Sequence, residues 1–358
     1  MNFFNGSGKL NPMHKDDRKW IIVNPDLLSE DSIPPGILCR EPQIAQLQFC
    51  LAPALKGQRP LHCMLYGTPG TGKTATVKYF LSNLEHEAGI RGIYANCWKH
   101  NSFYAILDKI VVDLRILRAE KLNTSFKLER LQSFIGDRPF LIILDEIDQL
   151  PPKERNSVLY NMCNVRNLGL IVICNNKHTL YTFDERVRSR FQPTQIAFEP
   201  YSVEDMVCIL TRRAEHALHP KSWDRAVLEK ISRLSEGDAR IAIQTLRNAS
   251  HHAEAQYKTY IDHLDVLRGW NSVKGLKKSF LLKTLTEHHR LLYEIARKQK
   301  QVLSGTLWSL YLRACKKKKI KPMAVRTYSL YTNKLIELGL IKAERALVKG
   351  KVRVIKVA

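Results

Sequence analysis

Residues 67–74, "GTPGTGKT", constrain this chain more than any other short stretch. Three glycines, a proline and a lysine stand between "LHCMLY", which reads as a short buried strand, and "TATVKYFLSNLEHE", which reads as an amphipathic helix. A glycine-rich loop in that setting turns backbone N–H groups inward, and the helix start adds its dipole and unpaired donors. The segment therefore predicts a phosphate cradle, and its spacing fits the Walker A pattern GxxxxGK[ST]. Gly67, Thr68, Pro69, Gly70, Thr71, Gly72, Lys73, Thr74 and Ala75 become the nucleotide-binding candidates. Lys73 is placed to reach the β/γ oxygens, and the Thr74 hydroxyl to hold Mg²⁺.

Two further strands end in polar residues. "FLIILDEID", residues 140–148, puts Asp145 at a strand end as a magnesium partner. Glu146 beside it is the candidate for polarising an attacking water. "LGLIVICNN" ends at Asn175 and Asn176, where an amide can orient water near a γ-phosphate; an Asn pair also forms turns. "FDERVRSRF" offers Arg186, Arg188 and Arg190 as a cation for a neighbouring subunit's nucleotide, or as surface arginines. "TQIAFEPYS" supplies a fifth strand.

From Ser202 the pattern turns helical, through "SVEDMVCILTRRAEHAL", "SWDRAVLEKISRLS" and "GDARIAIQTLRNASHHA". Gly237 and Asp238 mark a helix start. Arg240 lies in the first turn, where a cation opposes the helix dipole and wants another partner; a nucleotide phosphate suits.

Charge separates the last quarter from the rest. The net charge is +23, and from Arg268 onward there are 23 Lys and Arg against 4 Glu and no Asp. That surplus of 19 leaves only +4 for the preceding 267 residues. Such asymmetry points to a polyanionic partner for the C-terminal part. There, residues 277–358 read as helix or helix pair, helix, helix after Pro322, then two strands joined near Gly350. This is the winged-helix order, with the third helix directed at the major groove. Arg326, Thr327, Ser329, Thr332, Asn333 and Lys334 form the polar face of that helix. Arg345, Lys349, Lys351 and Arg353 belong to the wing. Lys316 to Lys319, Lys317 among them, form a phosphate-binding cluster in a turn. Tyr328, Leu330, Leu335, Ile336 and Leu338 are expected to pack inward.

The eight cysteines are scattered, with no CxxC, and read as buried thiols of a reducing compartment. The N-terminus carries no long apolar segment, so no secretory signal is expected, and no apolar run is long enough for a membrane span.

Together these motifs resemble the AAA+ ATPases, and more narrowly the archaeal initiators related to origin-recognition and cell-division-cycle proteins. "IPPGILCREPQIAQLQFCLAPAL" resembles that family's lead-in, "YANCWKHNSFYAILDKI" its second strand, "FEPYSVEDMVCILTRRAE" its base–lid junction and "EGDARIAIQTLRNA" its sensor 2 helix. The resemblance implies Asn175 as sensor 1, Arg240 as the sensor 2 arginine, and Tyr201 and Arg213 near the nucleotide. It leaves the finger open between Arg186 and Arg190.

The fold expected is an α/β P-loop AAA+ base with a parallel sheet (1–200, with 1–32 as an N-terminal extension), an all-helical lid (201–270) and a winged-helix domain (271–358). The function expected is an ATP- and Mg²⁺-dependent initiator, a slow, switch-like ATPase. It would bind duplex origin DNA and promote replicative helicase loading, with other initiator subunits as further partners. Its setting would be cytoplasmic and nucleoid-associated, without membrane. A winged-helix transcription regulator and a DNA-remodelling motor are the alternatives.

Overall fold

A computed structural model describes residues 20–29, 32, 36–116, 122–345 and 353–357. Its contacts divide into two compact units that meet between Trp270 and Asn271. The first unit begins with α1 (Glu41–Leu55), β1 (Cys63–Tyr66), α2 (Lys73–Ala88), β2 (Arg91–Asn96), α3 (Phe103–Asp113) and α4 (Thr124–Ile135). It continues through β3 (Phe140–Asp145), α5 (Pro152–Cys163), β4 (Leu168–Cys174), α6 (Glu185–Arg190) and β5 (Thr194–Ala197).

β3 and β4 are buried along their whole length. They are apolar throughout because helices cover both faces of the sheet. Successive residues still alternate. Leu141, Ile143, Ile171 and Ile173 pack with α1 and α2, whereas Ile142, Leu144, Leu170 and Val172 pack with α3, α4 and α5. Every pairing is parallel, in the order β2-β3-β4-β1-β5. The carboxyl ends of β3, β4 and β1 therefore lie side by side, so that whatever follows each strand gathers on one edge.

Four helices follow: α7 (Val203–Ala217), α8 (Arg225–Ser235), α9 (Ala239–Ala255) and α10 (His263–Thr284). Ser202 and Asp205 cap α7 reciprocally, and Asp224 and Asp238 accept the first N–H groups of α8 and α9. Their apolar faces form a separate core around Met206, Leu210, Leu228, Ile231 and Leu246. Residues 20–29 are part of it: Ile21 and Leu28 are buried there, and Val23 N–H donates to the Ala217 carbonyl at 2.8 Å.

The second unit contains α11 (Glu287–Gln299), β6 (Gln301–Leu303), α12 (Ser304–Lys318), α13 (Val325–Glu337), β7 (Ile341–Arg345) and β8 (Arg353–Val357). The three strands pair antiparallel in the order β6-β8-β7. β6 is an addition to the helix-and-hairpin order expected from sequence, and it makes the small sheet three-stranded. Tyr311, Cys315, Tyr328, Leu335 and Ile355 fill the core between helices and sheet. This is a winged-helix arrangement of three helices and a sheet. The segment joining β7 to β8, with the turn expected near Gly350, lies outside the described residues. The lysine run is corrected: Lys316, Lys317 and Lys318 are the last turn of α12, not a loop. Cations there face the negative end of the helix dipole.

The packing of the sheet against the loop before β1 allows no side chain at Gly169. A Cβ there would lie 2.5 Å from Pro60 Cβ and 2.9 Å from Leu141 Cδ2. Gly169→Ala is expected to destabilise the first unit by about 1–3 kcal/mol through overpacking. The midpoint of denaturant unfolding measures the loss.

Candidate functional site

The loop leaving β1 wraps a cavity of about 410 Å³ lined by Pro69 through Ala75, together with Asp145, Glu146, Asn175, Tyr201, Arg213 and Arg240. Its glycines are required by approach as well as by turn. Gly70 and Gly72 have φ of +81° and +87°, which side chains rarely adopt. A Cβ on Gly70 would stand 2.0 Å from Asp238 Oδ1, and one on Gly72 2.3 Å from the Tyr201 hydroxyl. Gly67 and Thr68, the first residues of the loop, are not among the lining residues; their carbonyls accept from Lys73 Nζ at 2.6 and 2.9 Å. Burial pushes the Lys73 ammonium below its ordinary pKa, Asp145 pulls it back up and Arg240 adds to the lowering. An anion beside that amine offsets the cost of burying it. Loop, lysine and cavity together fit a nucleotide's phosphates.

Asp145 is buried at the end of β3. Its Oδ2 accepts from the Thr74 hydroxyl at 2.8 Å and the Tyr94 hydroxyl at 2.7 Å. Burial, then Asp145 itself, pushes the Tyr94 phenol upward, so it stays a donor. A carboxylate and a hydroxyl facing one cavity are the oxygen ligands that suit Mg²⁺. Glu146 comes next, in the left-handed region at φ 57°, a conformation that costs a non-glycine residue about 1–2 kcal/mol. Two bonds hold it there: its N–H donates to Asp145 Oδ1 at 2.9 Å, and its Oε2 accepts from Asn96 Nδ2 at 3.1 Å. Asn96 Oδ1 meanwhile accepts the N–H groups of Trp98 and Lys99, each at 3.0 Å.

Asn175 leaves β4 into the same cavity. Its Oδ1 accepts from Lys73 Nζ at 3.4 Å, and its Nδ2 donates to Asp148 Oδ2 at 3.2 Å. Asp148, which the sequence reading did not assign, thus fixes which way the amide faces. On the lid side, Ala239 N–H donates to the Gly70 carbonyl at 3.0 Å, so the start of α9 and Arg240 sit against the phosphate loop. The Arg213 guanidinium donates to the carbonyls of Leu27 and Ser32 at 2.5 and 3.0 Å. It lines the cavity while tying Leu27 and Ser32 to α7.

Arg40, like Asp148 and Asn96, is a residue that sequence reasoning missed. It is buried, and its guanidinium donates to the Thr71 carbonyl at 3.1 and 2.9 Å and to the Glu199 carbonyl at 2.7 Å. It also stacks 3.8 Å over the Tyr201 ring. The only signal was the Arg-Glu pair in the lead-in, where nothing local distinguishes a structural arginine from a surface one.

None of the α6 arginines lines the cavity. Arg186, Arg188 and Arg190 are exposed; Arg190 donates to Asn164 and lies over the Tyr160 ring. In the second unit, Arg326, Asn333 and Lys334 are exposed along α13, and Thr327 is half-buried. Arg353 Nη1 donates to Asn333 Oδ1 at 3.3 Å, which links β8 to the helix. Lys317 is exposed at the end of α12. Thr332 is buried, and its hydroxyl bonds back to the Tyr328 carbonyl, so it leaves the polar face. Leu330 is the opposite correction: expected to pack inward, it is 62% exposed. Lys349, Lys351 and the side chain of Arg345 lie outside the described residues.

Residues 37–173 match the model of the AAA ATPase domain, and residues 195–269 that of the Cdc6 AAA+ ATPase-type lid domain. The chain is 28% identical to an ORC1-type DNA replication protein of Pyrococcus abyssi, over 90% of this chain and 84% of that one. It is 28% identical to ORC1-type DNA replication protein 2 of Methanosarcina acetivorans, over 80% of each. Among solved structures, the Aeropyrum pernix ORC1 protein in complex with DNA superposes with a TM-score of 0.76 at 26% identity, covering 94% of both chains. The Holliday junction branch migration motor RuvB of Thermotoga maritima reaches a TM-score of 0.50 at 18% identity over 93% and 96% of the two chains, a likeness of fold alone.

Lys73→Ala is expected to abolish measurable nucleotide binding by titration calorimetry. Glu146→Gln keeps the shape of the cavity; it should bind ATP normally and hydrolyse it at least about a hundredfold more slowly. Arg40→Ala leaves the buried Thr71 carbonyl without that donor and removes the tie to the Glu199 carbonyl. It should weaken nucleotide affinity about tenfold and lower the stability of the first unit by roughly 1–3 kcal/mol, read by calorimetry and denaturant unfolding.

Proposed function

We propose, for a chain that belongs to the AAA+ ATPases with a Cdc6-type lid, that it is a DNA replication initiator that binds duplex origin DNA and promotes loading of the replicative helicase. One observation carries the reading. The likeness to the DNA-bound Aeropyrum pernix protein runs over 94% of both chains, through the nucleotide-binding unit and the basic unit alike.

In this reading the base (1–200) and lid (201–270) bind nucleotide, and the winged helix (271–358) binds duplex. Bound ATP supplies a γ-phosphate and Mg²⁺ a counter-charge to it. Thr74 and Asp145 would hold the metal ion, Lys73 would meet the phosphate oxygens, and Asn175 and Arg240 would sense them. Glu146 takes the proton of the attacking water. Arg190 of α6 faces outward and serves a neighbouring subunit, with Arg186 as the other candidate. A lone subunit then lacks a cation for the charge that develops during phosphoryl transfer, so hydrolysis is slow and switch-like.

Arg326, Thr327, Asn333 and Lys334 approach base edges from α13, and Arg345, Lys349, Lys351, Arg353 and Lys317 meet phosphates. The initiator reading predicts binding at origins when the protein is crosslinked to the chromosome. Peaks confined to promoters would favour the regulator instead, and a hexameric ring with fast, DNA-stimulated turnover the motor.

The two kinds of contact separate in a salt titration. Lys317→Ala should weaken all duplexes alike and reduce the slope of log K against log salt by about one. Arg326→Ala should cost about 1–3 kcal/mol on the cognate site and little on random duplex, read by fluorescence anisotropy.

A further inference from the structure

We infer that Leu330 reads the 5-methyl group of a thymine in the recognised duplex and is a specificity-determining residue of α13. The inference rests on the reading of α13 as the helix that meets DNA, and it goes beyond that reading by naming a base.

A singly exposed leucine means nothing by itself. Its position on α13 is the argument. The buried face of the helix is fixed by Tyr328 and Leu335 in the core, by the Tyr328 hydroxyl on the Ser304 carbonyl at 2.9 Å, and by the turned-back Thr332 hydroxyl. The helix cannot roll to bury Leu330 without losing those. With about 100° per residue, Arg326, Leu330 and Asn333 fall within roughly 60° of one another. Leu330 therefore sits near the middle of the outward face, flanked by the two side chains best suited to base edges. Val325, also 62% exposed, lies about 100° from Arg326 at the helix start, on the flank of that face.

The rest of the face is polar. Ser329 turns its hydroxyl back to the Val325 carbonyl at 3.3 Å, and the Asn333 amide oxygen is met by Arg353. A leucine amid these groups needs an apolar counterpart to gain anything on binding. The edges of base pairs in the major groove present hydrogen-bond donors, acceptors and one apolar group, the methyl of thymine. A thymine opposite Leu330 lets both apolar surfaces leave water together. Cytosine carries only a hydrogen at that ring position and an amino group in place of the neighbouring O4, so the leucine loses its apolar counterpart.

The test uses the full-length protein with ATP. Binding duplexes are selected from a random-sequence pool, and each thymine of the selected site is then replaced by deoxyuridine, which differs only by the methyl. With the wild-type chain, one or more replacements should weaken binding about three- to fivefold. With Leu330→Ala that loss should vanish at the same thymine, while the effect of Arg326→Ala on specificity persists. Leu330→Met should restore it. Leu330 is exposed, so the fold survives these changes, and circular dichroism checks that. A selected site with no invariant thymine overturns the inference. So does a wild-type chain indifferent to every deoxyuridine, or a Leu330→Ala chain that stays sensitive. A pool that yields no enriched sequence overturns the sequence-specific duplex reading itself, and the inference with it.

Discussion

The phosphate site depends on the buried guanidinium of Arg40. One planar group joins three parts of the first unit: the phosphate loop through Thr71, the exit of β5 through Glu199, and the lid through the Tyr201 ring. A loop rich in glycine loses much backbone entropy when it is ordered. Arg40 fixes it by accepting that cost at a carbonyl, leaving the N–H groups free to face the cavity. A lysine would carry the same charge but lacks the fork that reaches two carbonyls from one plane. The same residue therefore sets both the shape of the cradle and the position of the lid beside it.

The catalytic side of the cavity is organised by strain held in place. Glu146 occupies a left-handed conformation directly after a fully buried strand. Such a conformation persists only where neighbours over-determine it, and here Asp145 and Asn96 do so from two sides. Because Asn96 also accepts from the backbone of Trp98 and Lys99, the carboxylate is tied to the loop that leaves β2. Asp148 does the corresponding work for Asn175. Each residue that would act on a phosphate or water is thus oriented by a second polar group. That is what a low-dielectric site requires if its charges are not to be wasted on reorganisation.

What the sequence made legible follows from how local the chemistry is. The phosphate loop was readable because backbone geometry dictates its residue types one by one, as the collisions at Gly70 and Gly72 demonstrate. β3 and β4 were readable because burial on both faces leaves an unbroken apolar run. β6 was not, because three residues between two helices carry no alternation to detect. Arg40, Asn96 and Asp148 were missed for another reason: their roles are set by partners 31, 50 and 27 residues away, and no local pattern records those. Leu330 and Thr332 were exchanged for a subtler cause. Residue type misled in both directions: Leu330 is apolar yet stands on the outward face, and Thr332 is polar yet buried, its hydroxyl satisfied by the Tyr328 carbonyl.

Charge divides the labour between the two units. A surplus of 19 after residue 267 against +4 before it means that attraction to a polyanion, being additive over phosphates, belongs to the second unit. The nucleotide cavity works on the opposite principle. It relies on few cations, Lys73 and Arg213 among them, whose effect is magnified by burial rather than by number. Salt screens the first kind of interaction strongly and the second weakly. In the proposed reading a duplex therefore competes little for the phosphate cradle, and nucleotide occupancy is expected to persist across salt concentrations at which DNA is released. Sequence selectivity belongs to neither term. In the proposed reading it comes from the few side chains on the outer face of α13, where the net gain from each contact is small and the wrong base leaves a group unpaired.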